Sequence, residues 1–72
     1  MATSLFNIKN YDVAKLFIRR GADVNEKNIH GRTPLHECLK FDIAKLLIAN
    51  GAKVNIRDNK GNTPIMARRY MN

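Results

Sequence analysis

GRTPLHECLKFDIAKLLIANGAKVN occupies residues 31–55, and GNTPIM follows at 61–66, thirty positions after the first Gly-x-Thr-Pro. Shifting the chain by thirty lays DVAKLFI at 12–18 on DIAKLLI at 42–48 and GADVN at 21–25 on GAKVN at 51–55, with no gap. Thr3, Thr33 and Thr63 then fall in phase. The chain reads as a repeat array in one domain, 1–72, with copies at 3–32 and 33–62 and a partial copy at 63–72. A period of about 20–50 residues is the mark of stacked supersecondary units, none of which can bury its apolar face alone.

Each copy opens with turn chemistry. NIHG at 28–31 and DNKG at 58–61 place Asn or Asp first and Gly fourth, as a type I turn prefers. Thr33-Pro34 and Thr63-Pro64 then predict the start of a short helix: the hydroxyl can accept from a free backbone N–H, and proline sits where an N–H would have no partner. A second helix is expected from Phe41 and Asp42, with Ile43, Leu46 and Leu47 on one stripe and Ala44 and Ile48 on the next. A helix of only about ten residues is not stable in water, so this wide apolar arc needs neighbours on more than one side. Gly21 and Gly51 end the helices, Arg19 and Arg20 suit the negative end of the first dipole, and residues 52–55 run extended into the next turn. The predicted architecture is all-α: helix-turn-helix layers joined by β-turn tips.

These residues resemble the ankyrin repeat family. TPLH at 33–36 is that family's signature, IAKLLI at 43–48 resembles its second helix, and GAKVN at 51–55 resembles its return. The family period is about 33 residues, against thirty here. The missing three fall between Cys38 and Asp42, where the family carries a Gly-His pair. Either the first helix loses its last turn or the connection tightens. Phe6 and Met66 stand where His36 would recur, and Arg68 replaces Cys38 in the last copy, which reads either as a polar cap or as a sign that the array is cut short there. The resemblance implies a non-enzymatic module that recognises other proteins through its tips and first-helix surface. It also implies that His36 is structural, hydrogen-bonded near the turn, and that Cys38 is a small side chain between packed helices.

Composition narrows the alternatives. With 44% hydrophobic and 26% charged residues the chain is a folding sequence, but 72 residues make it a marginal one. No run matches a membrane span, and the N-terminus lacks the basic-then-apolar pattern of a secretion signal. A single cysteine allows no intramolecular disulfide and fits an intracellular, cytoplasmic setting. The net charge of +7 favours acidic partners, although the lysines are scattered and only Arg19-Arg20 and Arg68-Arg69 pair. Nucleic acid is the rival reading; few aromatics for base stacking and no groove-reading motif argue against it.

His30, His36 and Cys38 are the metal or nucleophile candidates, but they lack the spacing of a zinc site. No phosphate-cradling loop occurs, and the six carboxylates suggest no catalytic pair. No cofactor, metal or catalytic residue is expected. The surface remains. Lys27, Ile29, His30 and Arg32 form one tip; Arg57, Asn59, Lys60 and Asn62 form the next, and stacking is expected to align Lys27 with Arg57 and His30 with Lys60. This basic column suits an acidic strip on a partner protein. Apolar end faces near Leu5, Phe6 and Ile8, and near Ile65 and Met66, call for cover either by another copy, which predicts self-association into a homo-oligomer, or by flanking repeats of a longer parent array.

Overall fold

A computed structural model describes residues 4–64. Among these residues the regular elements are three helices, α1 (Tyr11–Arg19), α2 (Pro34–Glu37) and α3 (Phe41–Ala49). The long helices α1 and α3 are repeat equivalents and pack against each other.

Local chemistry sets the limits of both. The Asn10 side chain accepts from the Val13 N–H at 3.1 Å and caps α1, while Asp12 puts negative charge in its first turn. At α3 the cap is Lys40, which makes no side-chain capping bond; Asp42 instead accepts from the Ile43 N–H at 2.8 Å. Both helices end alike. The Gly21 N–H reaches the Ile18 carbonyl at 3.0 Å and the Ala22 N–H reaches Phe17 at 3.1 Å; Gly51 and Ala52 repeat this on Ile48 and Leu47 at 3.1 and 2.9 Å. This paired arrangement requires a left-handed residue just past the helix, and φ is 90° at Gly21 and 96° at Gly51. It also turns Ala52 back into the core.

The shortened period takes both forms open to it. Helix α2 is a single turn, and Cys38 leaves it in extended geometry (φ −75°, ψ 128°), so the link to α3 is short and straight. In the first copy the equivalent segment does not form a helix at all. Ser4 replaces the helix-starting Pro34, and Phe6 replaces His36, so the imidazole bonds that close α2 have no counterpart. The Phe6 N–H instead donates to the Ser4 hydroxyl at 3.3 Å, and Asn7 takes φ 62°. The expected turn-helix-helix unit is therefore realised in the second copy and reduced to turn and helix in the first.

Leu35, Ile43, Ala44 and Leu47 form the heart of the core with Leu5, Ala14 and Ala52. Ala14 and Ala44, repeat equivalents without any exposed surface, let the packed helices approach closely. Burying Leu35 and Leu47 is worth about 2 kcal/mol each, enough for either to decide whether a chain this small folds. Leu5 belongs to this core, and Ile8 and Phe6 are partly buried, Ile8 against the core. Ile65, Met66 and Arg68, assigned above to the far end, lie outside the described residues.

Candidate functional site at the repeat tips

Two equivalent turns make the tips. Asn28 accepts through its side chain from the N–H groups of His30 (2.9 Å) and Arg32 (3.1 Å), while the Gly31 N–H reaches the Asn28 carbonyl at 3.0 Å. Asp58 does the same for Lys60 and Asn62, both at 2.9 Å, and Gly61 closes the turn. Asn and Asp are interchangeable here because one side-chain oxygen is all the turn needs.

The tips are joined directly. The Asn59 N–H donates to the His30 carbonyl at 2.9 Å and its amide nitrogen to the Ile29 carbonyl at 3.2 Å. Gly31 lies close against the second turn: a Cβ built there would stand 2.5 Å from Asn59 Oδ1. Behind the tips, Asn25 donates to the Gly51 carbonyl at 3.0 Å and accepts from the Lys53 N–H at 2.8 Å, which ties the first return segment to the second.

His36 adds a third tie. Its Nδ1 accepts from the Thr33 N–H at 2.9 Å, so the proton resides on Nε2, which donates to the Asn62 carbonyl at 2.8 Å in the next tip. The Thr33 hydroxyl lies 3.0 Å from the same Nδ1 and also faces the His36 backbone N–H, so Thr33 and His36 cap the start of α2 reciprocally.

Arg32 makes the fourth tie. Its guanidinium donates to Asp58 Oδ2 at 2.7 Å, to Glu37 Oε2 at 3.2 Å and to the His36 carbonyl at 3.1 Å. Asp58 is buried, and its carboxyl is held below the usual range, chiefly by hydrogen bonds from the tip backbone at Asn62 and Lys60 and then by Arg32. The signal was present in the repeat phase: Asp58 falls on Asn28, the residue that already bonds Arg32 in its own tip. A carboxylate beside that position has a second oxygen to offer.

The predicted tip residues thus separate into two groups. Arg32 and Asn59 are engaged in fixing one tip on the other, and Asn62 contributes its backbone carbonyl to His36. Lys27, Ile29, His30, Arg57 and Lys60 are exposed, Ile29 at 88%. His30 and Lys60 line one depression of about 280 Å³ together with Arg32, Asp58 and Asn59. Among the described residues the ion pairs are those of Arg32, so none involves Lys27, Arg57 or Lys60.

The other sequence candidates lie apart from this surface. Cys38 is half-buried with its thiol donating to the Lys40 carbonyl at 3.1 Å, and burial pushes its pKa up. Among the described residues no group of three His, Cys, Asp or Glu side chains could hold a metal, and no helix is long and apolar enough to cross a membrane.

No curated protein matches the chain. A family model for ankyrin repeats, three copies, matches residues 1–67. Members of that family are generally protein–protein interaction modules and typically not enzymes. The matched segment spans both full copies and the TPLH turn that His36 locks to the next layer, and the chain belongs to the ankyrin repeat family.

Proposed function

We propose that this chain binds an acidic segment of another protein through Lys27, Ile29, His30, Arg57 and Lys60. The observation that carries the reading is the division of labour at the tips. Arg32 neutralises Asp58 inside the layer junction, so the cations outside it face solvent with no carboxylate pairing them among the described residues. The backbone of Ile29 and His30 is held by the Asn59 bonds, and that of Lys60 by its N–H to Asp58. A partner that docks there orders side chains but not loops, which lowers the entropy lost on binding. Ile29 supplies an apolar anchor within the charged field.

The test is an affinity capture from native extract with the wild-type chain and a variant carrying Lys27→Ser, His30→Ser, Arg57→Ser and Lys60→Ser. A partner kept by the wild type and lost by the variant, with unchanged thermal melting, is the expected outcome. Equal retention by both chains would overturn the reading. Phosphate contacts would make the affinity fall steeply with salt, so capture that is abolished by nuclease treatment and by modest salt would favour nucleic acid instead.

A further inference from the structure

Helix α1 is covered on one side only. Ala14 has no exposed surface, and Phe17 and Ile18 pack against the core, whereas Val13 and Leu16 are 39% and 44% exposed. Leu16 lies roughly 160° around the helix from both Ala14 and Ile18, so it is turned away from the interior of the chain. The second copy of the repeat buries the same framework positions: Ile43 is 3% exposed, and Leu46 packs partly against the core.

The charges around Leu16 decide what can cover it. Asp12, Leu16 and Arg20 are spaced i, i+4, i+8 and form one row along α1 and its C-cap, with Val13 beside it. The carboxylate stands one turn before the leucine and the guanidinium one turn after, each about 6 Å away along the axis. Both are exposed, and among the described residues the ion pairs are those of Arg32, so neither Asp12 nor Arg20 is in one. The Lys15 ammonium is drawn back over the Tyr11 ring, 5.7 Å from its centroid. Space beside the leucine is open: Asp12, Lys15, Leu16 and Arg19 line a depression of about 330 Å³.

A row with acid at one end, leucine in the middle and base at the other is complementary to its own reverse. We infer that two copies of this chain pair through α1, antiparallel, around a two-fold axis that passes beside Leu16. In that register each Leu16 meets its symmetry mate, each Asp12 faces the other copy's Arg20, and each Val13 lies under the aliphatic stem of the other copy's Arg19. A parallel pairing would instead set Asp12 against Asp12 and Arg20 against Arg20. Each copy carries +7, and the two Asp12 carboxylates supply the negative charge that lets these cationic faces meet. One helix face is a small contact and its ion pairs are exposed, so the dimer is weak and concentration-dependent. The isologous contact uses the same surface on both copies, which closes the assembly at two. The tip residues take no part in it.

Sedimentation equilibrium on the full chain tests this. The wild type is expected to pass from monomer to dimer as concentration rises to about 1 mM, and to go no further. Leu16→Lys is expected to weaken dimerisation roughly tenfold or more, as loss of a central apolar contact does. Asp12→Lys sets cation against cation on both sides of the axis, and Arg20→Glu sets acid against acid; each alone is expected to weaken dimerisation roughly threefold to tenfold. An equimolar mixture of these two charge variants restores opposite charges at both junctions and is expected to dimerise about as well as wild type. Both oppose the α1 dipole, so circular dichroism melts check that each folds. A second measurement does without them. In a Cys38→Ser chain treated with diamide, Leu16→Cys is expected to form a disulfide-linked dimer roughly tenfold faster than Lys53→Cys, an exposed position off α1, because the axis brings the two Cβ atoms together. A wild type that stays monomeric or grows beyond a dimer, a folded Leu16→Lys chain that dimerises like wild type, a mixture of folded charge variants that dimerises no better than either alone, or equal disulfide rates at the two positions would each overturn the proposal.

Discussion

Arg32 Nη1 stands 2.7 Å from Asp58 Oδ2, and this ion pair joins one tip to the next across 26 residues of chain. Arg32 keeps about a third of its side chain in solvent while Asp58 has almost none, so the pair is partly screened. Its guanidinium also holds Glu37 and the end of α2. Arg32→Ala is expected to cost about 1–2 kcal/mol, since charge-assisted hydrogen bonds at a half-buried site are lost. Arg32→Lys should recover only part of this, because an ammonium cannot serve three acceptors in a planar fork. Urea unfolding of both variants and of Arg32→Ala/Asp58→Asn measures the coupling.

The Asp58 carboxyl titrates below its ordinary value of 3.8 because tip N–H groups and Arg32 favour the charged form. A depressed folded-state pKa means the unfolded chain binds the proton first as pH falls. Stability from this group is therefore complete above the ordinary value and is lost as pH drops below it toward the folded-state value. Asp58→Asn keeps an oxygen for the turn, as Asn28 does, but removes the charge. The expected result is a urea midpoint lower than wild type at pH 7, with less further loss between pH 5 and pH 2.

Gly31 and Gly51 both have positive φ, 72° and 96°, so alanine is strained at either position. Only at Gly31 does the new Cβ also meet a neighbouring layer, at 2.5 Å from Asn59 Oδ1. Gly51→Ala is expected to cost about 1–2 kcal/mol from the backbone alone, and Gly31→Ala more. Adding Asn59→Gly to Gly31→Ala should restore part of the steric cost, and adding it to Gly51→Ala should not. Thermal unfolding of the four chains separates these terms.

Burial raises the Cys38 pKa, so less of the thiol is ionised at neutral pH than in an open peptide. Alkylation by iodoacetamide at pH 7.5 should be slower than for an unstructured cysteine peptide, and should reach the peptide's rate in denaturing urea. An equal rate in the folded chain would place the thiol in open solvent.

The fold was legible because its framework repeats: Gly21 and Gly51 end equivalent helices, and DVAKLFI and DIAKLLI bury equivalent alanines. What escaped the repeat was everything made by residues that differ between copies. Ser4 and Phe6 carry the framework's spacing but lack the proline and imidazole that close α2, so the first copy has a turn instead. Arg32 looked like one more surface cation because its partner is four positions out of phase, a diagonal contact that aligning copies hides. The exposed tip residues were easier to find, since a turn must project whatever occupies its middle.

Everything proposed for the tips requires that consecutive turns be fixed to one another rather than moving as separate loops. Amide hydrogen exchange at Asn59 measures this directly, because its N–H is committed to the His30 carbonyl of the preceding tip at 2.9 Å. Exchange there should be slowed to within roughly tenfold of a core amide such as Leu47 in α3, with both reporting the same unfolding event. Exchange at the rate of an open loop, while Leu47 remains protected, would contradict it.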